Sequence, residues 1–119
     1  MIYSQEPCRS AGTFTTNIVK AAPVKWDKNQ VTSGAPARAV VINAGIANAC
    51  TGEEGMGYCG QTAEAAALAL GISAESVLVA STGVIGMQLP MDRITAGVKA
   101  MAPLLDGSLR AAQAHPGPL

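Results

Sequence analysis

The apolar run Val77-Leu78-Val79-Ala80 stops abruptly at Ser81-Thr82-Gly83, and a second glycine follows at Gly86. Four uncharged residues of high strand preference predict a buried strand. Hydroxyls and glycines placed directly after it predict a polar turn, because Gly83 and Gly86 accept positive φ and let another group approach the backbone closely. Such a turn has two uses. Its hydroxyls can satisfy the neighbouring backbone, or its amides together with the Thr82 hydroxyl can form a concave donor cluster for an oxyanion, a carboxylate or a phosphate. The ten residues from Val77 to Gly86 leave both uses open.

A second strand is predicted at Ala37 to Asn43, whose Val40-Val41-Ile42 core reads as covered on both faces. Asn43 to Gly52 follows it with two asparagines, two glycines and a threonine. Asn43 and Asn48 can orient a polar ligand or stitch the loop to itself, since an amide both donates and accepts. Gly60 to Leu70 reads as an alanine-rich helix with Gly71 as its stop. Met91, Ile94, Val98 and Met101 recur at spacings of three and four, predicting an amphipathic helix over Met91 to Leu105 with Asp92 at its positive end. Upstream, Ser10 to Asn17 and the stretch to Pro23 read as short strands or extended segments, and Trp26 to Pro36 reads as a loop because it contains Asp27, Asn29, Ser33, Gly34 and Pro36. Strand and helix alternate, so the expected class is a layered α/β domain with both polar segments at one end of the sheet, where ligands bind in open parallel sheets.

At 119 residues the chain suits one domain. Eight basic and eight acidic side chains cancel and are scattered, which argues against nucleic acid or an anionic membrane as a partner. No apolar stretch approaches the roughly 20 residues that span a bilayer, and the first residues lack a signal peptide's basic and apolar parts, so a cytoplasmic location is expected. Cys8, Cys50 and Cys59 are odd in number and widely spaced, which suits reduced thiols; with His115 as the one histidine, no metal site and no bound cofactor are expected. Twenty-two alanines against four aromatics predict a core of small groups that needs further apolar surface from a partner or from additional sequence.

Taken together, AGTFTTNIVKAAPV (Ala11 to Val24), NAGIANACTGEEG (Asn43 to Gly55) and VLVASTGVIGMQLPMDRI (Val77 to Ile94) resemble the ornithine acetyltransferase family of arginine biosynthesis, over residues 2 to 114. Three blocks in the right order are far more specific than one glycine-rich loop. The resemblance implies a layered sheet and helix sandwich. It also implies transfer of an acetyl group from N-acetylornithine to glutamate, some members using acetyl-coenzyme A as donor. In that family a precursor cleaves itself before a threonine, whose new amine and hydroxyl act as base and nucleophile for an acetyl-enzyme. The Thr-Gly of the STGVIG block forms the family's oxyanion hole, which puts those roles on Thr82 and Gly83 here. A β chain and a second copy complete the family's assembly.

The likeness departs from the family pattern at both ends. Family members begin before the strand represented by Ile2-Tyr3-Ser4, and after Ala111-Ala112-Gln113-Ala114 the family's Thr-Thr-Asp motif is replaced by His115-Pro116-Gly117-Pro118-Leu119. The expectation is therefore a partial, incomplete α-chain domain at 1–114 with a divergent tail at 115–119. Thr13, Thr15, Thr16, Thr51 and Thr82 are internal and carry no free amine, so the 119-residue chain by itself is expected to show no turnover. The alternative is a non-catalytic remnant that binds a small anion at Ser81 to Gly83. A serine hydrolase built on Ser81 fits poorly, since its turn wants glycine on both sides and position 79 is Val.

Overall fold

A computed structural model describes residues 1–107; the expectations placed on Ala111 to Ala114 and on 115–119 lie outside the described residues. In chain order the elements are β1 (Ile2–Cys8), α1 (Ala22–Thr32), β2 (Ala37–Ile46), α2 (Gly52–Leu70), β3 (Val77–Val84) and α3 (Met91–Met101), with single 3-10 turns at Ala74–Ser76 and Ala102–Leu104. The sheet runs β1-β2-β3. β1 is antiparallel to β2, whereas β3 is parallel to it, with Val41 opposite Val79 and Asn43 opposite Ser81. No helix among the described residues is long and apolar enough to cross a membrane.

Alternation along the strands separates two faces. Ala39, Val41 and Val77 are buried under α2 and α3, against Ala63, Ala66, Ala67 and Val98, while Val79 is buried against Ala22 of α1 and Cys59 of α2. Alanines at this contact let α2 lie close on the sheet, as the composition predicts. The opposite face carries Val40, Ile42, Leu78, Ala80 and Thr82, and Ile42 there is 40% exposed. Ile2 pairs with Val40 and Val40 with Leu78, so these three form a row across that uncovered face. The strand reading of Val40 to Ile42 is right, but one face rather than both is covered.

Two further boundaries differ from the sequence reading. Trp26 to Thr32 is helix, not loop: α1 starts with Pro23 at its first turn and runs to Thr32, and the turn residues Ser33, Gly34 and Pro36 act only after it. Asp27 and Asn29 suggested a loop from composition, yet they lie in a helix that tertiary contacts hold in place. α2 begins at Gly52 rather than Gly60. Glu53 and Glu54 occupy its first turn, where the positive helix end favours acids, and the intervening glycines do not break it. It ends where predicted, at Leu70, with the Gly71 amide turned back to Ala67 O. Of the predicted Met91 to Leu105, α3 and the 3-10 turn after it cover all but the last residue, the α-helix itself ending at Met101.

On β1 the register shifts between Tyr3 and Cys8. Arg38 fastens that irregular stretch from β2: its guanidinium donates to Tyr3 Oη at 3.0 Å and to the carbonyls of Ser4 and Gln5, and it stacks over the Tyr3 ring.

Candidate functional site at the open edge of the sheet

Ser81, Thr82 and Gly83 do not form a turn. They continue β3, paired one for one with Asn43, Ala44 and Gly45 of β2, and the chain bends only at Ile85 to Met87. Gly45 (φ 113°) and Gly83 (φ 130°) face each other in this parallel ladder, each in a conformation that favours glycine. The two polar segments picked out in the sequence therefore do lie together at the same end of two parallel, adjacent strands.

Alternation assigns the three residues different surroundings. Ser81 shares the covered face with Val79, and its hydroxyl donates to Asn43 Oδ1 while Asn43 Nδ2 donates to Ile46 O at 2.9 Å. That closed set holds the ends of β2 and β3 together and leaves Ser81 without a base to activate it. Behind it, a cavity of about 10 Å³ lined by residues including Asn43, Ser81 and Leu89 has room for at most one water. Thr82 is exposed and belongs to the uncovered face. Gly83 lies on the outer strand of the sheet.

The direction of the Gly83 amide follows from the groups below it. Val79 N–H donates to Asp27 Oδ1 at 2.9 Å, and Val77 O accepts from Trp26 Nε1 at 3.0 Å; both point away from β2 toward α1. Backbone groups of a strand turn to the same side every second residue, so the amides of Ser81 and Gly83 continue on that outer edge. The positive φ at Gly83 is a rotation about its N–Cα bond, which leaves its own N–H where the preceding peptide plane puts it. A hydroxyl on the open face and an amide on the open edge thus meet at one corner of the sheet.

Asn48, the other asparagine of the sequence reading, is a structural stitch. It is 1% exposed, donates from Nδ2 to Gly55 O at 2.9 Å, and accepts at Oδ1 from Thr51 Oγ1 at 2.6 Å. Its main-chain oxygen accepts from Ala22 N at 3.2 Å, which ties the start of α1 to the segment after β2. Cys8 and Cys50 are exposed free thiols and Cys59 is buried. Burial, reinforced by the Asp27 charge, pushes Cys59 up to about 11, which keeps it a thiol rather than a nucleophile.

Sequence reasoning missed Trp26 and Asp27, the side chains that reach β3. Burial pushes the Asp27 carboxyl up from 3.8 to about 6, against the opposing pull of the Val79 amide. The folded chain therefore holds this proton more tightly than the unfolded chain. The stability so gained is fully present below about pH 4, declines as pH rises through the window from 3.8 to about 6, and is lost above it. Thermal melts across that window should show this decline, and Asp27→Asn, which keeps an oxygen for Val79, should flatten it. An unchanged slope in the variant would assign the decline to another group.

The profile of the ArgJ family matches residues 1–115. The arginine biosynthesis bifunctional protein ArgJ of Symbiobacterium thermophilum is 51% identical over 116 residues, covering 96% of this chain and 29% of the relative. Its counterpart in Thermotoga neapolitana is 52% identical over 101 residues, covering 83% of this chain and 25% of the relative. This chain thus spans between a quarter and a third of these two relatives. Among solved structures, ornithine acetyltransferase of Mycobacterium tuberculosis, complexed with ornithine, is similar with a TM-score of 0.82 and 45% identity, over 89% of this chain and 56% of that one. The ArgJ protein of Bacillus halodurans is similar with a TM-score of 0.77 and 39% identity, over 82% of this chain and 51% of that one.

Proposed function

The chain belongs to the ArgJ family, and from that premise we propose that it carries the oxyanion-stabilising part of an acetyl-transfer site, with Thr82 and Gly83 as its donors. The reaction is transfer of an acetyl group from N-acetylornithine, or from acetyl-coenzyme A, to glutamate. Attack on the acetyl carbonyl drives negative charge onto its oxygen, and a preorganised donor there contributes about 2.7 to 4 kcal/mol to the rate. The observation that carries the reading is the corner of the sheet: an exposed Thr82 beside Gly83 on the edge strand, whose amide the alternation along β3 turns outward.

Thr82 serves as donor and not as nucleophile in this reading, because its nitrogen is a peptide amide within β3. The attacking hydroxyl of the acetyl-threonine mechanism comes from outside these 119 residues, as do the β chain and second copy of the assembly. Residues 1–114 then act as a partial α-chain domain, working in the cytoplasm. The uncovered sheet face bearing Ile2, Val40, Leu78 and Ile42 supports the partial-domain reading, since such a face wants a further layer.

Calorimetric titration of the chain with acetate, glutamate and N-acetylornithine tests the site. Binding of an acetyl-bearing ligand or of acetate is expected, with affinity weakened roughly tenfold by Thr82→Ala, the loss of one hydrogen bond to a charged oxygen. Binding that is indifferent to Thr82→Ala would remove Thr82 from the site. An absence of binding to all three ligands would remove the retained-site reading altogether.

A further inference from the structure

We propose that Trp26 and Asp27 act as a surrogate strand along the outer edge of β3 and thereby position the Gly83 amide; the inference rests on the oxyanion reading of that amide. β3 is an edge strand, and a fourth strand laid beside it would bond to Val77 O and Val79 N. Those two groups are taken instead by consecutive side chains of α1, the Trp26 indole donating to the carbonyl and the Asp27 carboxylate accepting from the amide. The pairing reproduces what a neighbouring strand would do over one two-residue repeat, and then stops. The next outward amides along the edge are those of Ser81 and Gly83.

The surrogate is itself anchored. Trp26 packs against both apolar clusters, the one around Val77 and Val98 and the one around Cys59 and Val79. Ala22 N, at the start of the same helix, donates to Asn48 O in the segment after β2. α1 therefore bridges the two chain segments that meet at the site: it holds β3 by its edge and the exit of β2 by its loop. Two side chains serve better here than a real strand, which would continue past Val79 and consume the Gly83 amide. Trp26 and Asp27 are positioning residues, since neither reaches the corner where the ligand would sit.

The groups around Asp27 that affect a pH test are few. α2 presents the Cys59 thiol, α1 carries Lys25 two residues before it and Lys28 directly after it, and β3 contributes backbone only, having no titratable side chain from Val77 to Val84. The experiment is a proton–nitrogen NMR titration of the isotopically labelled chain from pH 4.5 to 7.5, with amide exchange measured on the same samples. The Val79 and Gly83 amide resonances are expected to move together with a midpoint near 6, and Asp27→Asn is expected to abolish both movements while leaving the fold intact. In Asp27→Ala the Thr82 amide should exchange at least tenfold faster, while the Val98 amide of α3 stays within twofold.

Val79 titrating while Gly83 stays still, or Thr82 exchange unaltered in Asp27→Ala, would overturn the proposal. A purely structural role would accelerate exchange throughout the chain and leave no shared midpoint. The outcome is separable from that of the ligand titration. Coupled resonances without acetate binding would leave the surrogate strand standing and sink the oxyanion reading, whereas Thr82-dependent binding without coupling would do the reverse.

Discussion

Gly83→Ala is expected to lower stability by about 3 kcal/mol or more, a large share of the stability of a domain whose total is of order 5 to 15 kcal/mol. Two effects add. At φ 130° an L side chain is strained by itself, which costs about 1 to 3 kcal/mol. A β-carbon there would also overlap the Gly45 carbonyl and lie 2.7 Å from Ile46 N, and both are backbone atoms of a paired strand that cannot rotate aside. Relief would require β2 and β3 to separate at the point where Gly45 faces Gly83. Gly86→Ala separates the two effects, since φ is 106° but nothing lies within 4 Å of the added carbon; about 1 kcal/mol is expected. Urea unfolding of the pair measures the difference. Equal midpoints for the two variants would show that the strands do not approach so closely.

This pair of glycines also explains why the site was only half legible in the sequence. Glycines and hydroxyls after Ala80 weigh against a strand on propensity and predict a turn. The strand continues because its partner has a glycine at the matching register, a fact that only pairing reveals. Propensity was overruled in the same way at α1, where Asp27 and Asn29 suggested a loop. Asp27 is there to bond Val79, 52 positions away, and no local pattern announces a contact of that range. What was legible was periodic or apolar: Val98 is buried as the three-and-four spacing of α3 requires, and Val41 and Val79 are core as their apolar runs require. Thr82 and Gly83 could be singled out from residue type, but the face and edge they occupy depend on strand alternation and on which strand lies outermost.

Asn48 carries the other large expected effect, and its chemistry makes the direction testable. Asn48→Ala leaves Gly55 O and the Thr51 hydroxyl without the partners they have in a buried site, at about 2 to 3 kcal/mol. Asn48→Asp should be worse at neutral pH although it changes a single group. One carboxylate oxygen can still accept from Thr51, but the other replaces the Nδ2 donor and confronts Gly55 O, with only the weak S–H donor of Cys59 to offset the buried charge. About 3 to 5 kcal/mol is expected for it. Protonation reverses the sign, because a neutral carboxyl can donate to Gly55 O. The Asp variant should therefore recover toward or beyond the Ala variant as pH falls from 7 to 4, each compared with the parent chain at the same pH so that the Asp27 contribution cancels. If the two variants keep the same difference across that range, the residue at 48 is in contact with water and does not stitch the segment shut. If the recovery occurs, the exit of β2 is held by one buried amide, and α1, tied to that residue by Ala22, inherits its rigidity from it.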